Sequence, residues 1–461
     1  MKKLTYIIVF LSLISCSDFL NIEPVEQISI NTQLSTKKGV LVALNGAYYD
    51  TRKTLLADAF FTYGDLLSGN ITFTPRVSNG SISVPAFVDQ IYHFADEKND
   101  SDLRGFYSNS YQIINNVNLI LEKIDQVSDA TTEEKNQIKA ECLALRAFTH
   151  FNLYKIYAQN YTYTSDGNHL GIVYNTQSLK VGIDYPARET AKRTLELMQN
   201  DIETAIPLYN SGKAIPEGFE YQFLNKNAAK SLAADIALWK NDWQNALKWS
   251  DEVIKNSGKT LTPSAEFTTN WAQSEKIWDL PRTGENDNLL GSLYNFTGTA
   301  QYSKYAVSGD FTQLLAANDA RKNLLETKTI RSKAYTFTIK YKNLSGLIYR
   351  LSELYFIRAE AYLKSGKNDL ALEDLNKIRL RAGLLPLTTI TIDDVLLEKR
   401  KEFLNENKYF WDLARNQKNI VRNLGCIATQ CNLTYPNNKY IAPIPQESIE
   451  VNSNMVQNPG Y

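Results

Sequence analysis

Apolar side chains recur at steps of three and four along much of this chain with polar residues between them, the pattern of helices that bury one face. From Tyr107 onward Ile113, Val117, Ile120, Leu121 and Ile124 keep that period beside Asn115, Asn116 and Asn118. A second helix is predicted from about Thr132 to Tyr157, with Ala140, Ala144, Ala147, Phe151, Tyr154 and Ala158 on one face. Small residues among large ones suit close helix packing.

Two later segments carry the small and aromatic spacing of tetratricopeptide repeats, whose paired helices stack because neither can bury its face alone. Ala359, Tyr362, Gly366, Ala371 and Leu375 sit at the expected offsets in one, and Ala234, Ala237, Trp243 and Ala246 in the other. The fold class predicted is mostly α, with helical segments at about residues 107–160, 186–257 and 350–415. Two blocks break the pattern. Residues 64–104 hold Gly69, Pro75, Gly80, Pro85 and a Ser/Asn-rich stretch, and residues 260–345 are rich in Thr, Asn, Gly and Tyr. Irregular stretches of such length in a compact protein are commonly functional or disordered.

The N-terminus reads differently. Lys2 and Lys3, an apolar run from Leu4 to Ile14, and Ser15 before Cys16 describe an export signal too short to span a membrane as a stable helix. A cysteine at that cleavage point is what lipid attachment needs, so residues 1–15 are expected to be removed and Cys16 lipidated. Several acyl chains, at roughly 0.8 kcal/mol per buried methylene, would hold the chain to a membrane. Residues 16–461 are then read as a single domain.

Composition narrows the function. The 50 basic and 50 acidic side chains cancel, which gives no net field for nucleic acid or an anionic membrane face. Of the four cysteines, Cys142 lies in a helical pattern and reads as a core residue, while Cys426 and Cys431 are close enough to bridge a C-terminal loop. His93, His150 and His169 are scattered, and no zinc-ligand spacing, phosphate-cradling glycine loop or serine-nucleophile elbow occurs. No cofactor is expected, although calcium stays open because acidic loop residues exist without an EF-hand pattern. The run Glu398-Lys399-Arg400-Lys401-Glu402 reads as a solvated helix face with pairs at steps of three and four. Trp271, Trp278, Trp411 and Asp412 read as structural.

A series of sequence blocks runs in order along the chain: Cys16-Ser17-Asp18-Phe19-Leu20 with Pro24, Glu141 to Phe148 continuing to Phe151-Asn152-Leu153-Tyr154, and Arg188-Glu189-Thr190 with Asp201, Ile202 and Ala205. Asp319-Ala320-Arg321, Arg358 to Tyr362, Asn376 to Gly383, Glu398 to Phe403 with Trp411-Asp412-Leu413, and the ending Pro443-Ile444-Pro445-Gln446 through Gln457-Asn458-Pro459-Gly460-Tyr461 complete it. Together these blocks resemble the SusD/RagB family of surface lipoproteins. The resemblance implies helix pairs supporting a loop-rich ligand region. It also implies a SusC-like TonB-dependent transporter as partner, this chain acting as a hinged cap that captures a nutrient oligomer at the outer membrane.

A neutral oligosaccharide is held by flat aromatic faces with Asp, Asn, Gln or Arg collecting hydroxyls. The irregular blocks offer Asp65, Asn70, Asn79, Tyr92 and His93 in one, and Tyr294, Asn295, Phe296, Gln301, Tyr302 and Tyr305 in the other. Peptide as ligand, as in the RagB branch, is the near alternative and would favour apolar pockets. A lipid-anchored glycosidase needs only two suitably spaced carboxylates, and a pure scaffold would bind partner proteins alone. Both are weighed below the binding protein.

Overall fold

The computed structural model describes residues 30–180, 182–210, 212–280, 284, 287–296, 303–342 and 346–461. Its longer helices are α1 (Lys37–Leu55), α2 (Asp58–Leu67), α3 (Arg104–Lys123), α4 (Thr132–Tyr157), α5 (Ala191–Leu208), α6 (Lys226–Trp239), α7 (Trp243–Asn256), α8 (Leu351–Lys364), α9 (Asn368–Arg381), α10 (Ile392–Glu402) and α11 (Tyr409–Arg415). Their starts are written in the sequence. Thr131 closes a capping box with Glu134 before α4, Thr391 does the same with Asp394 before α10, and Thr190, Asn225 and Asp242 accept from the first free amides of α5, α6 and α7.

Packing runs as a chain of neighbours: α1 on α3, α3 on α4, α4 on α5, α5 on α6, α6 on α7, α7 on α8, and α8 on α9. The helix pairs α6/α7 and α8/α9, far apart in sequence, are therefore stacked directly on each other through α7 and α8. Ala140, Ala144 and Ala147 of α4 and Ala234, Ala246, Ala359 and Ala371 of the later pairs are all fully buried, which lets the backbones approach closely.

Buried arginine–carboxylate forks tie these layers. Arg146 of α4 meets Asp201 of α5 at 2.7 and 2.6 Å, Arg358 of α8 meets Asp374 of α9 at 2.7 and 2.8 Å, and Arg415 of α11 meets Glu360 of α8 at 2.6 and 2.6 Å. Two parallel N–H···O bonds fix orientation as well as distance.

The charge run in α10 is not a solvated face. Glu398 and Glu402 are 1% exposed and Lys399 is 5% exposed. Glu402 receives Arg350 at 2.8 Å and Arg381 at 2.5 Å, Glu398 receives Arg321 at 3.0 Å and Arg379 at 2.6 Å, and Lys399 reaches Asp412 at 2.6 Å. Arg350 also bonds Glu275 and Glu406. Helical spacing shows that charges share a face; it does not show which guanidinium groups from distant segments cover that face. Burial alone would raise the Glu402 carboxyl, but Arg381, Arg350 and Arg321 hold it well below the usual carboxylate range.

Strands occupy the blocks where helical period fails. They are β1 (Ile71–Phe73), β2 (Lys276–Asp279), β3 (Tyr305–Val307), β4 (Leu325–Ile330), β5 (Lys333–Thr338) and β6 (Leu347–Arg350). One sheet has the order β1-β3-β5-β4 and the other pairs β2 with β6. Antiparallel pairing of Ile71 with Val307, Thr72 with Ala306 and Phe73 with Tyr305 joins the two irregular blocks through strands more than two hundred residues apart in sequence.

Candidate functional site

Where β1 and β3 end, the chain opens into a surface cleft of about 490 Å³ that both irregular blocks line. Phe73 forms its floor, Arg76, Val77 and Phe87 come from the first block, and Ser292, Ser303 and Lys304 from the second. The Thr74 hydroxyl donates to the Ser303 carbonyl at 2.6 Å, and Arg331 donates to the Val77 carbonyl at 2.8 Å, so the walls are cross-tied. Phe87 follows Pro85 on a short 3₁₀ turn and leaves 41% of its surface to solvent. The Lys304 ammonium lies 4.5 Å from its ring centre and 2.6 Å from the Asp58 carboxylate. Burial raises the Asp58 carboxyl, and Lys304 pulls it the other way.

This is a shallow, polar-walled surface with one exposed aromatic face, two cationic side chains and several hydroxyls. Such a set stacks on a flat, weakly apolar ring and donates to oxygen atoms around it. Among the described residues no cluster of His, Cys, Asp and Glu is arranged to hold a metal.

Residues 270–461 match the SusD family, and residues 51–238 match the family described as starch-binding associating with outer membrane. The chain belongs to the SusD-like family. Over its whole length it is 22% identical to "SusD-like protein P2" of Formosa agariphila, covering 99% of that protein. It is 33% identical to "Starch-binding protein SusD" of Bacteroides thetaiotaomicron over a shorter stretch, 25% of this chain and 21% of that one. A solved SusD superfamily protein from Bacteroides thetaiotaomicron superposes with a TM-score of 0.80 at 25% identity, covering 92% of this chain and 100% of that chain. A putative sugar binding protein from Bacteroides vulgatus does so with a TM-score of 0.79 at 26% identity, covering 93% of this chain and 100% of that chain.

In this SusD-like chain the side chains singled out from sequence are mostly not on the cleft. Asp65 is buried, and its carboxylate accepts from Asn70 at 3.0 Å and from the main-chain amides of Asn405 and Asn407 at 3.2 and 3.1 Å. Burial pushes that carboxyl up to about 6. It pins a turn in which Asn405 and Asn407 both have positive φ. Asn70 is fully buried and accepts from Arg400 at 2.8 Å. Tyr92 is buried under the Arg422 guanidinium, its hydroxyl accepting from the Ile427 amide at 2.9 Å. Tyr294 and Tyr305 are each 1% exposed, in a cluster with Phe61 and Tyr341, and Asn295 is buried. These tyrosines are packing anchors: their rings fill the space between α2 and the sheet and have no face left for a solute.

Asn79 is exposed on the turn beside the cleft and accepts from Ser81. His93 is half-buried, 3.7 Å from Asp89, and Phe296 is half-buried against Phe337. Cys16, Gln301 and Tyr302 lie outside the described residues. Trp271, Trp278, Trp411 and Asp412 are buried, as is Cys142. Cys426 and Cys431 are joined by a disulfide, and Arg422 ties the same loop by donating to the Cys431 and Gln430 carbonyls.

Phe87, Arg76 and Lys304 were not singled out from sequence. Phe87 has a signal nonetheless. It is the one aromatic residue between Phe73 and Tyr92, in a stretch otherwise rich in Ser, Val and Pro.

Proposed function

We propose that this SusD-like chain is a non-catalytic binding protein that captures nutrient oligosaccharides at the outer membrane and passes them to a SusC-like TonB-dependent transporter, which it caps. The observation that carries the reading is the cleft itself. Two irregular blocks, useless to a helical scaffold, are brought together by β1–β3 pairing and present Phe87, Arg76 and Lys304 on one surface. Family membership supports glycan as the ligand class, through a family described as starch-binding and a solved relative described as a putative sugar binding protein. Lipid on Cys16 would supply the tether; no helix among the described residues is long and apolar enough to cross a membrane.

The test is a binding screen of the chain starting at Ser17 against plant, microbial and host glycans, repeated with Phe87→Ala. Loss of an aromatic platform is expected to cost about 1 kcal/mol or more, at least fivefold in Kd. A glycan that binds both proteins equally would remove Phe87 from the site. Release of shorter sugars from any glycan in the panel would replace the binding reading with a hydrolase.

A further inference from the structure

The charge of the cleft at the sheet is one-sided. Its lining includes Arg76 and Lys304 and no carboxylate. The bias lies in the chain itself. Residues 66–88 carry Arg76 as their one charged side chain and residues 288–308 carry Lys304, although the protein has 50 acidic side chains to match its 50 basic ones. A larger cleft of about 580 Å³, between α3 and residues 173–186 and 448–455, shows no such bias, because Lys180 and Asp184 cancel on its lining. A third cation stands at the rim of the sheet cleft. Arg331, in the turn between β4 and β5, is held against the Val77 carbonyl, and a Cβ on Gly80 would come within 2.9 Å of its side chain.

These cations are open to a ligand. The Arg76 guanidinium is exposed and makes no hydrogen bond or ion pair among the described residues. Lys304 gives one N–H to Asp58 at 2.6 Å, yet 46% of its side chain stays in water and an ammonium has three donors. Asp58, 18% exposed and not part of the lining, offsets Lys304 but leaves Arg76 uncompensated. A guanidinium donates two parallel N–H groups to an oxyanion, and such charge-assisted bonds are about twice as strong as neutral ones. A neutral sugar also needs acceptors for its hydroxyl protons, which carboxylate and carboxamide oxygens supply. The lining has neither of those side chains, only the hydroxyls of Thr74, Ser83, Ser292 and Ser303 beside its two cations. The Phe87 ring, 41% exposed, adds a flat face on which a sugar ring stacks.

We propose that the oligosaccharide taken by this cleft is acidic: a sugar bearing a carboxylate or sulfate group stacks on Phe87 while its oxyanion pairs with Arg76 and Lys304. The inference rests on the glycan reading above and narrows it from glycans at large to charged ones. An anion without a sugar ring would meet the same cations but leave the Phe87 face uncovered.

The experiment is calorimetric titration of the chain starting at Ser17 with oligogalacturonates and their methyl esters, and with sulfated galactan oligomers before and after desulfation. At least one acidic series is expected to bind about tenfold or more tighter than its neutral counterpart, and to weaken as ionic strength rises from about 0.1 to about 1 M. The series that binds tells carboxylate from sulfate. Arg76→Gln is expected to weaken acidic binding by about fivefold or more with Tm unchanged, because that guanidinium holds nothing in the fold. Asp58→Asn, which frees the Lys304 charge, is expected to strengthen it. Neutral and acidic oligomers that bind alike, both weakened by Phe87→Ala, overturn the acidic reading and leave the glycan reading standing. Oligoglutamate binding as tightly as the acidic sugars, or acidic binding that survives both Arg76→Gln and Phe87→Ala, overturns the inference. So does no binding by either acidic series, and the glycan reading falls with it only if the wider glycan screen is also blank.

Discussion

Glu402→Gln is the sharpest probe of how the scaffold under the site is held. The side chain is 1% exposed and receives Arg350 at 2.8 Å and Arg381 at 2.5 Å, with Arg321 at 3.7 Å. Glutamine keeps the shape but removes the charge, leaving three buried guanidinium groups with Glu275, Glu398, Glu406 and Asp319 to share. Breaking one side of a buried ion pair costs about 3–5 kcal/mol. Unfolding entropy of roughly 2.1 cal/mol/K per residue over a chain of 461 residues comes to about 1 kcal/mol per degree, so Tm should fall by about 3–5 °C. The control is Glu326→Gln, whose pairs to Lys328 and Lys342 are half-exposed and should shift Tm by less than about 1 °C. The pH dependence has a definite sign. A carboxyl held low when folded stabilises above its unfolded value near 4.3 and loses that contribution as pH falls toward the folded value, so the difference between wild type and variant should shrink below about pH 4. Differential scanning calorimetry at pH 7 and pH 3 reads both effects. A Glu402→Gln protein melting within 1 °C of wild type at pH 7 would mean that the three guanidinium groups do not depend on the Glu402 charge.

The opposite sign is expected at Glu141, where burial pushes the carboxyl up to about 7 despite the Tyr48 hydroxyl at 2.6 Å and Gln137 at 2.9 Å. Its favourable contribution is complete below about pH 4.3 and is lost as pH rises through 7, a span worth on the order of 3 kcal/mol, so Glu141→Gln should flatten the urea-measured stability profile between pH 5 and 8. Replacing both Cys426 and Cys431 with Ala should cost up to about 2 kcal/mol by the loop-entropy estimate for so short a loop. Because Arg422 still holds the loop carbonyls, the change should show as faster amide exchange at residues 424–432 before any global loss.

Much of the scaffold could be read in advance because its determinants are local. Thr131 and Glu134 cap α4 within one turn, and the small residues of α6 to α9 repeat at helical spacing. The polar interior could not be read that way. Arg350 and Glu402 meet only because β6 and α10 pack together, and nothing in the spacing of Glu398 to Glu402 distinguishes a buried hub from a wet face. The same limit explains the site. Gly and Pro punctuation in the first block, and a Thr-, Asn-, Gly- and Tyr-rich composition in the second, marked the two stretches that do converge on the cleft. Within them, a tyrosine that anchors packing and one that meets a ligand look alike in sequence. Tyr294 and Tyr305 turn inward toward Phe61 and Tyr341, while Phe87, held out by the turn after Pro85, keeps an open face.

Glycan bound where the two blocks meet should shield the main chain there. Hydrogen exchange of the chain starting at Ser17, with and without a glycan that binds it, tests that most directly. Slowed exchange confined to residues 74–88 and 303–306 is the predicted result; protection only around residues 173–186 and 448–456, or nowhere, would contradict it.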